Sequence, residues 1–124
     1  MKIQESAEDY LETILKLSLQ KSTVRSIDIV NEMNFSKPSV SVAMKHLRER
    51  GHIVMDGSGY ITLTEEGKRI AERIYERHLL LSKLLTKLGV EEELATEEAC
   101  RIEHDISQDT FEKIRSWAKS QGIE

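Results

Sequence analysis

The sequence has little cysteine, proline and glycine, and it lacks any long apolar run. No run approaches the roughly 20 apolar residues of a membrane-spanning helix, so we expect no membrane association. The single cysteine, Cys100, cannot form an internal disulfide, and the N-terminus has no apolar signal core, which together favour a cytoplasmic location. Pro38 is the only proline and glycines number six in 124 residues, so the chain is predicted to be mostly helical.

Charge is distributed unevenly along the chain. The composition, with 39% hydrophobic and 32% charged residues, is typical of a folded protein, and the net charge of −4 taken alone argues against a nucleic-acid partner. Residues 21–52, however, carry six Lys or Arg against three acidic side chains, a net charge of +3. Residues 91–112 carry nine acidic side chains and one arginine, a net charge of −8. This asymmetry predicts two different partners.

Apolar spacing, capping residues and glycines predict six helices and one hairpin. Ser26, Ser36, Thr96 and Ser107 are candidate helix caps, and Asn34-Phe35 separates two helices in the basic segment. The apolar runs 53–55 and 60–63 flank a Gly-rich turn and predict a hairpin. The predicted helices are 7–19, 27–33, 37–50, 65–88, 91–105 and 108–119.

This order of elements is that of a winged helix-turn-helix with a two-stranded wing, followed by a helical domain. We place the boundary between the two domains so that the winged helix-turn-helix occupies residues 1–64 and the helical domain occupies residues 65–124. Leucines cover more than one stripe of the helix 65–88, so both sides need burial, and a second copy of the chain would supply one of them. The predicted homodimer interface is apolar and comprises Leu80, Leu84, Phe111, Ile114 and Trp117.

The start of the helix 37–50 is the candidate DNA-reading element. A helix-turn-helix places this part of its second helix in the major groove, where small hydroxyl side chains can approach phosphates and bases. An amphipathic helix with a solvated basic face would show the same composition, and the hairpin turn lacks Lys and Arg. The candidate DNA contacts are polar, basic or small: Arg25, Ser36, Lys37, Pro38, Ser39, Ser41 and Lys45.

A possible metal half-site lies in the acidic segment. Cys100, Glu103 and His104 form the spacing C-x-x-E-H, and positions i, i+3 and i+4 share one face of a helix. A thiolate, a carboxylate and an imidazole on one face suit a divalent metal.

Two further segments could complete such a site. Asp9 and Glu12 lie three residues apart on the first helix, and His78 lies on the long helix. The same residues also suit ordinary roles, since acids are favoured near a helix N-terminus and a lone cysteine or histidine often belongs to a core. Spacing alone leaves both interpretations open.

The chain resembles the diphtheria-toxin-repressor and manganese-transport-regulator family of metal-dependent transcription factors over nearly its whole length. The matching segments are EDYLETI at 8–14, SKPSVS at 36–41, LTEEG at 63–67, ERH at 76–78 and EACRIEH at 98–104. The resemblance implies a homodimeric repressor that binds an inverted-repeat operator in double-stranded DNA with a divalent metal as co-repressor. It also implies one set of metal ligands: Asp9, Glu12, His78, Cys100, Glu103 and His104.

The implied ligand set combines features of two branches of the family. Manganese-type members tend to carry a carboxylate where this chain has Cys100, and iron-type members tend to carry methionine where it has Asp9. The expected cofactor is therefore Mn²⁺ or Fe²⁺, with one or two ions per chain.

We therefore predict a cytoplasmic repressor that controls manganese or iron homeostasis genes. The alternatives are a winged-helix regulator that needs no metal and a redox-sensing regulator that acts through Cys100. An enzyme with Cys100 as nucleophile and His104 as base is disfavoured, because no Gly-rich or oxyanion-hole loop accompanies the pair.

Overall fold

The computed structural model describes the backbone of residues 3–123 and the side chains from Ser6 onward. It divides into two compact units, one that ends at Glu72 and one that begins at Arg73. The first contains α1 (Ile3–Gln20), α2 (Ser26–Met33), α3 (Lys37–Glu49), β1 (Ile53–Met55) and β2 (Ile61–Leu63). Helix α4 (Glu65–Lys87) begins in the first unit and ends in the second, which also contains α5 (Glu92–Ile102) and α6 (Gln108–Ser120). The predicted fold class, a winged helix-turn-helix followed by a helical domain, is confirmed.

The helix-turn-helix packs around a small apolar core in the first unit. Helix α1 contacts α2, α3 and β2, and it buries one face that includes Leu11 and Ile14. Helices α2 and α3 contribute the buried side chains Ile29, Val40 and Met44. This core fixes the exposed start of α3 relative to the wing.

The turn between α2 and α3 has the predicted chemistry. Asn34 adopts a left-handed conformation with φ of 58°, which asparagine tolerates better than most residues, and it ends α2. Ser36 is the N-cap of α3, since its hydroxyl oxygen accepts a hydrogen bond from the Ser39 N–H at 3.2 Å.

Two of the predicted helix starts are wrong. Helix α1 begins at Ile3 rather than Ala7, because no helix-breaking residue precedes Ser6. Ser26 is the first residue of α2 and not its cap. The N-cap is Arg25, whose backbone N–H donates to the Asp28 carboxylate at 2.8 Å.

The boundaries predicted for α5 are also wrong. Glu91 caps this helix by accepting hydrogen bonds from the N–H groups of Glu93 and Leu94, both at 3.2 Å. Thr96 lies inside the helix, where its hydroxyl donates to the Glu92 carbonyl at 3.0 Å. The helix ends at Ile102, three residues before the predicted end.

The wing is the predicted hairpin. Strands β1 and β2 pair antiparallel with Ile53 opposite Leu63 and Met55 opposite Ile61. In the turn, the Asp56 carboxylate accepts hydrogen bonds from the N–H groups of Ser58 at 2.9 Å and Tyr60 at 3.0 Å. Ile61 also donates its N–H to the Val24 carbonyl at 2.7 Å, which joins the wing to the residues before α2.

Thr64 joins the wing to α4. Its hydroxyl donates to the Gly51 carbonyl at 2.7 Å and accepts from the Gly67 N–H at 3.1 Å, so it caps the helix. Gly67 then lies so close to the His52 carbonyl that no side chain fits between them.

Candidate metal centre and nucleic-acid interface

Three of the predicted metal ligands meet in the second unit. His78 lies in the middle of α4, Cys100 in the last turn of α5, and Glu103 is the C-cap residue of α5. One ligand atom from each lies within 4.8 Å of the other two. Glu103 is fully buried, His78 is buried, and Cys100 is partly exposed.

A hydrogen bond links an imidazole to the carboxylate in this cluster, and a second imidazole lies close to the same carboxylate. His78 Nδ1 lies 3.0 Å from one Glu103 carboxylate oxygen, and His104 Nε2 lies 3.5 Å from the other. The His104 side chain is also buried. The ring nitrogen that carries the proton depends on the tautomer of each histidine.

The donor set fits a divalent cation. Metal–ligand bonds to nitrogen, sulfur and oxygen are about 2.0–2.6 Å long, so two ligands of one ion lie at most about 4–5 Å apart. The spacing within 4.8 Å falls in this range. A thiolate, an imidazole and a carboxylate form a set of mixed softness that suits first-row transition metals.

The early end of α5 changes how the C-x-x-E-H segment is presented. Glu103 keeps helical angles, with φ of −58° and ψ of −24°, and its N–H donates to the Ala99 carbonyl. It therefore still shares a face with Cys100, as the spacing predicted. His104 lies in the turn beyond the helix, so its position depends on that turn rather than on helical periodicity.

Sequence reasoning missed the residue that holds this turn, Arg77. Its guanidinium group donates to the carbonyls of Glu103 at 2.9 Å and Ile106 at 2.8 Å, and to the side-chain oxygen of Gln108 at 2.9 Å. It also lies 5.3 Å from the centre of the Phe111 ring. Its place immediately before His78 was the available signal, but arginine is mostly exposed in folded proteins, so its burial was not expected from the sequence.

Besides these three ligands and His104, the remaining two of the six predicted ligands belong to the first unit. Asp9 and Glu12 lie three residues apart on α1 and so share a face of the helix. Glu12 is buried, and one oxygen of its carboxylate lies 3.8 Å from the Lys16 ammonium nitrogen.

The predicted DNA contacts form an exposed surface in the first unit. The N-terminal N–H groups of α3 carry partial positive charge, and the Lys37 side chain adds a full charge beside them. Within this surface the Ser36 hydroxyl donates to the Ser39 hydroxyl at 2.8 Å, which orders the start of the helix. The exposed residues are Arg25, Ser36, Lys37, Pro38, Ser39, Ser41 and Lys45.

Arg25 connects this surface to the wing. Its guanidinium lies 4.7 Å from the centre of the Tyr60 ring, a cation–π distance. Asp28 fixes the neighbouring helix start, and a hydrogen bond from the Lys21 ammonium group at 2.5 Å lowers the pKa of its carboxyl. The backbone N–H of Arg25 lowers this pKa further.

The predicted dimer residues differ in exposure. Trp117 is 51% exposed, and Leu80, Leu84 and Ile114 are partly exposed, so these four side chains present apolar surface. Phe111 is only 1% exposed within the single chain. Its assignment to the interface is therefore corrected: the ring fills the interior of the second unit, where it has almost no surface to offer a partner.

No helix within residues 3–123 combines the length and the apolar character needed to cross a membrane.

Both parts of the chain match one protein family. Residues 2–60 match the family described as "Iron dependent repressor, N-terminal DNA binding domain". Residues 64–119 match "Iron dependent repressor, metal binding and dimerisation domain".

Individual relatives agree with this match. The transcriptional regulator MntR of Salmonella typhimurium is 31% identical over 119 residues, which cover 96% of this chain and 76% of the relative. The solved structure of the manganese regulator SloR superposes with a TM-score of 0.82 at 28% identity and covers 91% of this chain and 53% of its own. The solved structure of a manganese-dependent transcriptional repressor in complex with manganese superposes with a TM-score of 0.83 at 27% identity. The match covers 95% of this chain and 53% of that chain.

The chain thus spans about half the length of these two solved chains. The relatives are transcriptional regulators, which confirms the prediction that the chain is not an enzyme. The chain belongs to the iron-dependent repressor family of metal-dependent transcriptional regulators, as the resemblance predicted.

Proposed function

We propose that this chain is a metal-activated repressor that binds double-stranded DNA as a homodimer in the cytoplasm and controls manganese or iron homeostasis genes. The cluster of His78, Cys100 and Glu103 is the observation that carries the proposal, because it joins three different metal-binding donors within 4.8 Å. The exposed, hydroxyl-rich start of α3 supports the DNA-binding part.

The proposed ligands are the six residues implied by the family resemblance. His78, Cys100 and Glu103 form the centre of the set, and His104 follows in the same turn. Asp9 and Glu12 supply oxygen donors from α1, which suit Mn²⁺ and Fe²⁺. We propose one or two ions per chain.

A bound divalent cation supplies positive charge that offsets the negative charge of the ligand carboxylates. Glu103 is fully buried, and without a cation a buried carboxylate depends on its hydrogen bonds with protein groups such as His78. Asp9 and Glu12 lie on α1, which packs against α3. Their participation would make the orientation of the reading helix depend on metal.

We assign DNA binding to residues 1–64 and metal binding and dimerisation to residues 65–124. In a symmetric dimer, the two α3 helices can bind an inverted repeat only at a suitable separation. This separation is about one turn of DNA, roughly 34 Å, or a multiple of it. The Leu80, Leu84, Ile114 and Trp117 side chains supply apolar surface for the partner copy. Lys37 is proposed to contact phosphate, and the serines to contact phosphate or base edges.

The test is DNA binding by fluorescence anisotropy to an inverted-repeat library, with Mn²⁺, Fe²⁺, Zn²⁺ or a chelator. The test variant is Glu103→Gln, which keeps the shape of the side chain and removes its charge. The matched control is Glu97→Gln, which removes the same charge from an exposed residue of α5 that pairs with Arg101 at 3.4 Å.

We expect wild type and Glu97→Gln to bind the library only with metal, and Glu103→Gln to lose this dependence together with tight binding. Equal wild-type affinity in metal and in chelator would instead indicate a metal-independent regulator. Unchanged metal activation in Glu103→Gln would remove this residue from the ligand set.

A further inference from the structure

Arg77 makes an unusual set of contacts for a buried charged residue. It is 6% exposed, and its guanidinium group donates to two backbone carbonyls and one side-chain oxygen. The Nη1 atom donates hydrogen bonds to the carbonyls of both Glu103 and Ile106, and the Nη2 atom donates to the side-chain oxygen of Gln108. The single side chain therefore ties α4 to the end of α5 and to the first residue of α6.

One of these carbonyls, that of Glu103, lies at the end of helix α5, and the other, that of Ile106, lies in the turn that follows the helix. The last carbonyl groups of a helix have no intrahelical donor, and burial of such a group without a hydrogen bond is costly. Helix α5 ends at Ile102, immediately before Glu103. Arginine suits this position because its planar group presents several donors at fixed angles and stays charged when buried.

Two neighbouring residues of α4 hold Glu103, one through its backbone and the other through its side chain. Arg77 donates to the Glu103 carbonyl, while His78 contacts the Glu103 carboxylate at 3.0 Å. The geometry points to Arg77 as a positioning residue that presets the turn from Glu103 to Ile106 for metal binding. This inference rests on the metal site of the proposed function, but Arg77 itself is not a ligand.

The expected effect follows from preorganisation. Residues that hold metal ligands by hydrogen bonds typically change metal affinity by about 10–100-fold when they are replaced. Without the guanidinium group, the turn that carries Glu103 and His104 would have to be ordered by the metal, so part of the binding free energy would be lost.

The test uses Arg77→Met, with Arg115→Met as a matched control. The Arg115 guanidinium lies 5.0 Å from the same Phe111 ring, but it pairs with Glu76 and Glu112. Within residues 3–123 it makes no hydrogen bond to the turn from Glu103 to Ile106. Both variants lose one positive charge and one ring contact in the second unit, and only Arg77→Met loses the contacts to the turn.

Two measurements on the full chain separate positioning from general stability. Titration with Co²⁺ alone, followed by the thiolate-to-cobalt absorption of Cys100, reports affinity and coordination at a temperature where circular dichroism shows a folded protein. Amide hydrogen exchange of the metal-free protein reports the order of residues 103–107.

We expect Arg77→Met to weaken Co²⁺ binding at least about 10-fold and to accelerate exchange in residues 103–107, with Arg115→Met within about 2-fold of wild type. The same values in both variants would overturn the inference. If Arg77→Met does not fold, Arg77→Lys decides, because it keeps the charge and reaches fewer acceptors. It should show faster exchange in the turn and weaker Co²⁺ binding, and wild-type values would overturn the inference. Absence of Co²⁺ binding by the wild type would refute the proposed function instead.

Discussion

Replacement of Gly67 by alanine tests whether the contact between α4 and His52 holds the wing in place. In a helix with open surroundings, Gly→Ala stabilises the folded state by about 0.5–1 kcal/mol, because alanine has less backbone freedom to lose. At Gly67 an added Cβ would lie 2.0 Å from the His52 carbonyl oxygen and 2.9 Å from its carbonyl carbon. Helix propensity therefore predicts that Gly67→Ala stabilises the folded state, whereas the contact with His52 predicts that it destabilises it.

The tertiary contact should dominate. Carbon and carbonyl oxygen normally approach to about 3.3–3.6 Å, so the two groups would have to separate by more than about 1 Å. The His52 carbonyl is backbone and already accepts the Thr64 N–H at 3.0 Å, which limits its movement. Overpacking costs about 1–3 kcal/mol, and a clash with backbone belongs to the upper part of this range, about 2–3 kcal/mol. After the helix gain of about 0.5–1 kcal/mol, we expect a net destabilisation of about 1–2.5 kcal/mol.

The assay is urea unfolding followed by circular dichroism at one fixed protein concentration, since a dimer's stability depends on concentration. The control is Gly57→Ala in the wing turn, where an added Cβ meets no atom within 4 Å. This control should change the unfolding free energy by less than about 0.5 kcal/mol. A Gly67→Ala protein as stable as wild type would refute the reasoning. A loss of DNA affinity should accompany the destabilisation, because His52 directly precedes β1 of the wing.

Lys37→Ala should weaken binding to all DNA sequences alike. It should also reduce the slope of the logarithm of the DNA-binding constant against log salt concentration by the amount that about one phosphate contact contributes. A change in preference at a single base pair would show instead that Lys37 contacts a base. Cys100→Glu should shift activation toward Mn²⁺ at the expense of Fe²⁺, because it replaces a soft thiolate by a hard oxygen donor. Operator affinity measured against each free metal concentration checks this, and an identical metal ranking would place Cys100 outside the ligand set. The proposed homodimer should persist in chelator, because apolar burial of Leu80 and Trp117 against a partner copy would not require a cation; sedimentation of a monomer at micromolar concentration would contradict this.

The elements of the fold could be predicted where the signal is local. Ser36 and Ser107 cap α3 and α6 as expected, because a cap needs only a hydroxyl and a backbone N–H three residues away. Gly51 and Gly89 follow the ends of α3 and α4 with φ of 79° and 103°, conformations that glycine adopts without a steric penalty.

Where several local signals compete, the prediction was wrong. Ser26 is a good cap by composition, but Asp28 accepts the N–H of Arg25 and moves the cap one residue earlier. Thr96 is likewise a good cap by composition, yet Glu91 starts the helix and Thr96 bonds back to the preceding turn. The residue type shows which side chains are able to cap a helix, but the hydrogen bonds of the folded chain determine which of them does.

The sequence by itself determined which residues are chemically able to bind metal, because donor type is a property of each side chain. Only the tertiary structure decided which of them meet. Glu97 and Glu103 lie six residues apart, but Glu97 is exposed, whereas Glu103 is buried beside His78 of another helix. Phe111 is an aromatic residue of the kind common at interfaces, yet its side chain is buried inside the second unit. Such contacts join residues about 25 or more positions apart, and no local periodicity encodes them, because they depend on how the helices pack.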